Sequence, residues 1–208
     1  MTEQSTLDVA ESTFDAVVFA GGGCRCFWQV GFWEALSAKI PVAPRHISCV
    51  SAGSAMAAMI FGGRIAEGMA HFLEITAAND KNAYPERLFR KAPVFPHEAM
   101  YSGALRAALD ADALAALLAG PPIDVLVARP PRWLPGLGAL AFGMGSYNIE
   151  RHLRHGLHPT WPEKLGYGPE LISFQEVIAE YPHDTAAAAE AVIDLVLASS
   201  CSPPLTPL

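Results

Sequence analysis

Two short turns bring together residue types that can do chemistry. The first, Gly21-Gly22-Gly23-Cys24-Arg25, lies between an apolar run and a helical pattern. Three successive glycines carry no Cβ, so backbone N–H groups can converge on a small anion such as a phosphate or a developing oxyanion. The following helix adds unpaired donors and the positive end of its dipole. No Gly-Lys-Ser/Thr follows, and the last glycine of a dinucleotide fingerprint would fall on Cys26, so neither phosphate-loop pattern applies. Taken alone, the turn serves equally well as a tight bend for helix–sheet packing.

The second turn is Cys49-Val50-Ser51-Ala52-Gly53. A serine at a sharp strand-to-helix turn has its hydroxyl pushed clear of the backbone, as in a Gly-x-Ser-x-Gly nucleophile elbow. Ala52 and Gly53 supply the small neighbours, whereas Cys49 stands where the leading glycine is usual. The plain alternative is a serine that caps a helix. Ser54 is the rival nucleophile, but inside a helix its hydroxyl is expected to bond the preceding turn. The two turns in succession would sit side by side at the carboxyl edge of a parallel sheet, the geometry for acyl transfer by a serine beside backbone donors.

The elements that must position these turns follow from the apolar pattern. Asp15–Ala20 and residues 46–50 read as buried strands, and Ile123–Ala128 as a third. Leu171–Phe174 is a weak fourth. Helical spacing runs from Phe27 to about Ala38, over Ser51–Phe61 (apolar almost all round, hence buried), Ile65–Ala78 and Thr185–Ala198. Glu98–Leu118 is helical with a break near Asp110, whose side chain can cap a second helix. Strands separated by helices imply a three-layer α/β/α fold with a mostly parallel sheet. Residues 1–14 read as a tail and 15–208 as the domain. Residues 129–147 hold three prolines and four glycines, which predicts a lid or linker without a regular element.

The paired turns resemble the patatin-like phospholipase family. Its Gly-Gly-Gly-x-Arg/Lys-Gly motif corresponds to Gly21, Gly22, Gly23, Cys24, Arg25 and the departing Cys26. Its Gly-x-Ser-x-Gly motif corresponds to the departing Cys49, then Val50, Ser51, Ala52 and Gly53. Ala198-Ser199-Ser200-Cys201-Ser202-Pro203-Pro204 resembles the segment ahead of the family's last catalytic motif. The resemblance implies hydrolysis of lipid acyl esters without a metal or other cofactor. Ser51 would be the nucleophile, residues 21–25 the oxyanion hole, and Arg25 a brace for that loop. It also implies a Ser–Asp dyad with the Asp in an Asp-Gly-Gly/Ala turn, yet no Asp-Gly dipeptide occurs here. The simplest expectation is a chain cut short at Leu208; a complete, inactive protein is the rival. Asp184 and Asp194 are conceivable substitutes but read as solvated helix residues. Acyl transfer to an acceptor other than water, and lipid binding without catalysis, are the alternative functions.

Composition narrows the partners. The 208 residues are 51% hydrophobic and 17% charged, enough for a core and against wholesale disorder. A formal charge of −7 argues against nucleic acid. Four cysteines in a chain of this length make no disulfide framework, although Cys26 and Cys49 fall in turns that should be neighbours. Tolerated small residues, coincidence or a redox pair would each account for them. The polar, acidic N-terminus has no signal-peptide pattern and no apolar run suits a membrane span, so a cytoplasmic protein is expected. His152, His155 and His158 have Glu150 as their one nearby carboxylate and read as surface rather than as a metal site. Arg129, Arg132, Arg151 and Arg154 bracket apolar residues of 129–147, a pattern that suits peripheral contact with a lipid surface as well as an ordinary covering loop.

Overall fold

The computed structural model describes residues 14–81, 83–90, 94–134, 136–153, 161–164 and 166–200. The rest of the expected tail (1–13), Arg154, His155, His158 and residues 201–208 lie outside them. Four strands, β1 (Ala16–Phe19), β2 (His46–Val50), β3 (Ile123–Arg129) and β4 (Gly168–Ser173), form one sheet in the order β1-β2-β3-β4. The first three are parallel, with Phe19 opposite Cys49 and Cys49 opposite Val125, and β4 is antiparallel to β3.

The helices are α1 (Phe27–Ser37), α2 (Ala52–Phe61), α3 (Ile65–Ala77), α4 (His97–Ala108), α5 (Ala111–Ala119), α6 (Gly136–His152), α7 (Trp161–Lys164), α8 (Phe174–Ala179) and α9 (Thr185–Ser199). This is the mostly parallel sheet with flanking helices of an α/β/α fold, as the pattern predicts. Alternation along the strands shows a fully buried face: Phe19, Ile47, Cys49, Ile123 and Val125 are all buried. On the other face Val18 is 71%, Leu126 38% and Leu171 57% exposed.

At the centre lies α2, buried at every residue from Ala52 to Ile60. Its Ala and Gly residues let α1, α4, α5 and α9 approach closely around it. The break in the long helical pattern falls at Asp110, whose carboxylate accepts from Ala113 N–H at 2.8 Å and caps α5. Asp184 caps α9 in the same way. An Arg106–Glu190 fork, 2.6 and 2.7 Å, ties α4 to α9. No described helix is long and apolar enough to cross a membrane.

The expectation for residues 129–147 fails. Residues 129–147 are not irregular throughout: β3 runs to Arg129 and α6 starts at Gly136. The described prolines at 130 and 131 follow β3 and precede that helix, where they end a strand rather than break a turn. The glycine cost, up to about 1 kcal/mol each in a helix, is offset by tertiary packing. Tyr167 stacks on Phe142, its hydroxyl donates to the Ala139 carbonyl at 2.7 Å, and its ring lies beside Gly143.

The strand expected at Leu171–Phe174 is shifted and longer, and Phe174 opens α8 instead, capped by Ser173. There Gln175 gathers four segments. Its amide donates to Leu117 and Pro121 carbonyls at 2.8 and 2.9 Å, while its oxygen accepts from Ile123 N–H at 3.1 Å and Ser173 O–H at 2.9 Å. Gln175→Leu keeps the volume but strands these groups, each worth about 1–3 kcal/mol when left unpaired. Urea denaturation of that variant is expected to show a loss of roughly 2–4 kcal/mol.

Candidate functional site

The site is built at the carboxyl ends of β1 and β2. Ser51 follows the last residue of β2 with φ 56° and ψ −135°, and among the described residues it is the one non-glycine with positive φ. A side chain there costs about 1–3 kcal/mol unless its surroundings hold it. Three contacts do. Its N–H donates to Ser199 Oγ at 2.8 Å, and Ser199 in turn donates to the Leu126 carbonyl at 2.7 Å. Its carbonyl accepts from Ser54 N–H at 2.9 Å, closing the first turn of α2. Although Ser51 occupies the N-cap of α2, its hydroxyl makes no capping bond. The plain capping role therefore does not account for this serine, and its Oγ is left for other chemistry.

The glycine turn stands directly against it. A Cβ at Gly21 would lie 3.1 Å from Ser51 Cβ and 3.7 Å from its Oγ, so only a bare Cα fits comfortably. Gly53 is constrained from the other side, since a methyl group there would overlap the carbonyls of Phe19 and Ala20. The first turn of α2 can thus press onto the end of β1 and bring the two turns together. Gly23 has φ 59°, a left-handed conformation that glycine adopts without strain. Gly23–Cys26 form a 3-10 turn that runs into α1. Cys24 and Arg25 are exposed, and Arg25 Nε lies 3.4 Å from the Gly22 carbonyl. A cavity of about 330 Å³ is lined by Gly21, Gly22, Arg25, Cys26 and Trp28.

Val50 and Ala52 complete the elbow, Val50 ending β2 and Ala52 opening α2, buried. Cys49 is buried beneath it, with its thiol 3.5 Å from the Asp124 carbonyl; burial pushes that thiol up to about 11. Cys26 is also buried, and burial raises its thiol too, with Sγ 3.3 Å from the Ala20 carbonyl. Cys24, Cys26 and Cys49 are free thiols. Ser54 is fully buried and its hydroxyl lies beside the Cys49 thiol instead of bonding the preceding turn as expected. No ester can reach it there.

No carboxylate hydrogen-bonds Ser51 among the described residues. Asp184 is spent on its helix cap and Asp194 is exposed on α9. His152 Nδ1 lies 2.7 Å from the Asn148 carbonyl, in the last turn of α6. Among the described residues no group of three or more His, Cys, Asp or Glu could hold a metal ion.

Two residues that position the turns escape local sequence patterns. Ser199 is one, 148 positions from Ser51, with a run of small polar residues as its only signal. Gln29 is the other: a buried amide on the inner side of α1 that donates to the Ala20 carbonyl at 2.9 Å and pins the start of the glycine turn.

Comparison with known proteins gives one match. The family model for patatin-like phospholipase matches residues 17–208. No curated protein and no solved structure matches.

Removing the Ser199 hydroxyl leaves Ser51 N–H and Leu126 C=O without their bridge. In Ser199→Ala the Ser51 amide is expected to exchange with deuterium about five- to tenfold faster, since a part-buried hydrogen bond of about 1–1.5 kcal/mol is lost. Ser199→Thr, which keeps the hydroxyl, should exchange close to wild type.

Proposed function

The chain belongs to the patatin-like phospholipase family, a family of lipid hydrolases, and on that premise we propose that it is a serine acyl hydrolase acting on lipid acyl esters. One observation carries the reading: Ser51 is held in a strained backbone conformation with its uncapped hydroxyl against the bare Cα of Gly21.

In this mechanism Ser51 Oγ attacks the ester carbonyl. The carbonyl oxygen becomes an oxyanion received by the glycine-turn amides, from Gly21 to Arg25. Such preorganised donors, working where water is excluded, are worth several kilocalories in comparable sites, about 3–4 kcal/mol per donor. Collapse of the tetrahedral intermediate expels the alcohol, which takes up a proton, and leaves an acyl-Ser51. Water then attacks the acyl group, Ser51 regains its proton and the fatty acid departs. The buried end of α2 helps, because its positive dipole end lies behind the serine. No metal or cofactor is assigned a role.

The proton from Ser51 needs a base. The family resemblance puts that base on an Asp in an Asp-Gly-Gly/Ala turn, which this sequence does not contain. A positioned base contributes about 10²–10⁴-fold, so the 208-residue chain is expected to turn over esters close to background. This missing carboxylate is what favours the second reading, a protein that binds lipid at the same turns without hydrolysing it. We place the protein in the cytoplasm, in peripheral contact with lipid through residues 129–147, where Trp133 is 69% exposed.

A fluorophosphonate probe separates the two readings. Hydrolase chemistry predicts slow covalent labelling that disappears in Ser51→Ala, whereas a pure binder takes up no label. With a p-nitrophenyl ester the wild-type chain should stay near background; turnover abolished by Ser51→Ala would mean that a base lies among these residues after all. For the peripheral segment, Trp133→Ala is expected to weaken liposome association a few-fold, and unchanged association would remove that segment from the lipid contact.

A further inference from the structure

We propose that the outward face of α1 is the seat on which this protein meets a phospholipid bilayer carrying anionic headgroups, and that the lipid ester enters the site from there. The proposal rests on the lipid acyl-ester reading above and adds where the lipid surface lies.

Arg25, Trp28, Phe32, Ala35 and Lys39 recur at three- and four-residue intervals along and just beyond α1, so they share one stripe. All five are exposed. Trp28 is 64% and Phe32 56% exposed, and the two rings meet each other edge to face at 5.9 Å rather than being covered. The opposite side of the helix is already satisfied. Gln29 and Val30 are buried there, and Trp33 packs on Phe19 and Phe61 at 5.9 and 5.1 Å. The outer aromatic pair therefore plays no part in the core.

Charge follows the same line. A chain with net charge −7 keeps carboxylates off this stripe and places a cation at each end, Arg25 and Lys39. Glu34 stands about 140° round the helix from the stripe's midline, at 3.6 residues per turn. Aromatic rings at the headgroup level with Arg and Lys reaching to phosphates is the pattern of a helix lying in a membrane interface. The 129–147 contact proposed above adds to this seat more weakly, since its Arg129 is already paired with Glu170 at 2.6 Å.

The stripe is also continuous with the site. The 330 Å³ cavity shares Arg25 and Trp28 with it, and Gly21, which stands against Ser51, with the site. A lipid drawn up beside Trp28 thus enters the cavity whose other wall is the glycine turn. Arg25 at the mouth suits the phosphate of the headgroup.

The test is cosedimentation with phosphatidylcholine vesicles, with and without phosphatidylserine, using wild type, Phe32→Glu and Ala35→Glu. Both substitutions sit on the exposed stripe and outside the cavity lining, so circular dichroism and the urea midpoint should not move. Wild type is expected to bind the phosphatidylserine vesicles more tightly, and salt should weaken that preference. Phe32→Glu should lower partitioning at least about tenfold and Ala35→Glu several-fold. Vesicle binding that both variants retain would overturn the proposal. So would no vesicle binding at all, or a wild-type dimer that Phe32→Glu dissociates. Ser51-dependent labelling by fluorophosphonate in free solution is read in parallel. Labelling without stripe-dependent binding sinks the seat alone; stripe-dependent binding without labelling sinks the hydrolase reading and leaves the seat.

Discussion

The left-handed backbone of Ser51 is the constraint from which the rest of the site follows. A side chain in that conformation is strained, and it persists only because separate parts of the fold grip it. Sheet pairing fixes Val50 on one side, the first turn of α2 fixes Ser54 N–H on the other, and Ser199 bridges Ser51 N–H to β3. The same kink turns the hydroxyl away from the helix end it would otherwise cap. Gly53 lets α2 settle on β1, and Gly21 leaves room for the serine. Two glycines without side chains and one serine under strain are thus a single mechanical unit.

Beneath that unit the chemistry is mostly one of size. Two cysteines stand where the family motifs carry glycine, and both are buried with their thiols near backbone carbonyls. Burial holds the thiols protonated; for Cys49 the value reaches about 11. They behave as small, weakly polar packing groups, and a thiolate nucleophile is not part of the site. Cys26 is close enough to Gly22 that a side chain on that glycine would touch its sulfur at 3.3 Å, so the substituted cysteine narrows what the turn can tolerate.

Much of this arrangement was legible because it is local. Strand, glycines and helix succeed one another within a few residues, as do strand, serine and helix, and the apolar pattern around Ser51–Phe61 announced a helix buried on all sides. Asp110 declared its own cap. Residues 129–147 misled because prolines and glycines were counted together. The prolines cluster before Gly136, and α6 is held by packing with Tyr167, which lies beyond the helix in the chain, against Phe142 and Gly143. The antiparallel direction of β4, the four-way bonding of Gln175 and the grip of Ser199 were invisible for one reason. Each depends mainly on partners about forty or more positions away, and no local pattern encodes such a meeting.

The Ser199 bridge has a consequence for how the protein comes into being. The residue that locks the elbow is made 148 positions after the serine it holds. Growing from the ribosome, the chain carries Ser51 for most of its synthesis before the clamp exists, and closing so long a loop is slow compared with forming the neighbouring helices. The turn around Ser51 is therefore shaped last. A nascent chain can form its glycine bend and earlier helices first, whereas this corner takes its final shape only when α9 has been translated and has docked.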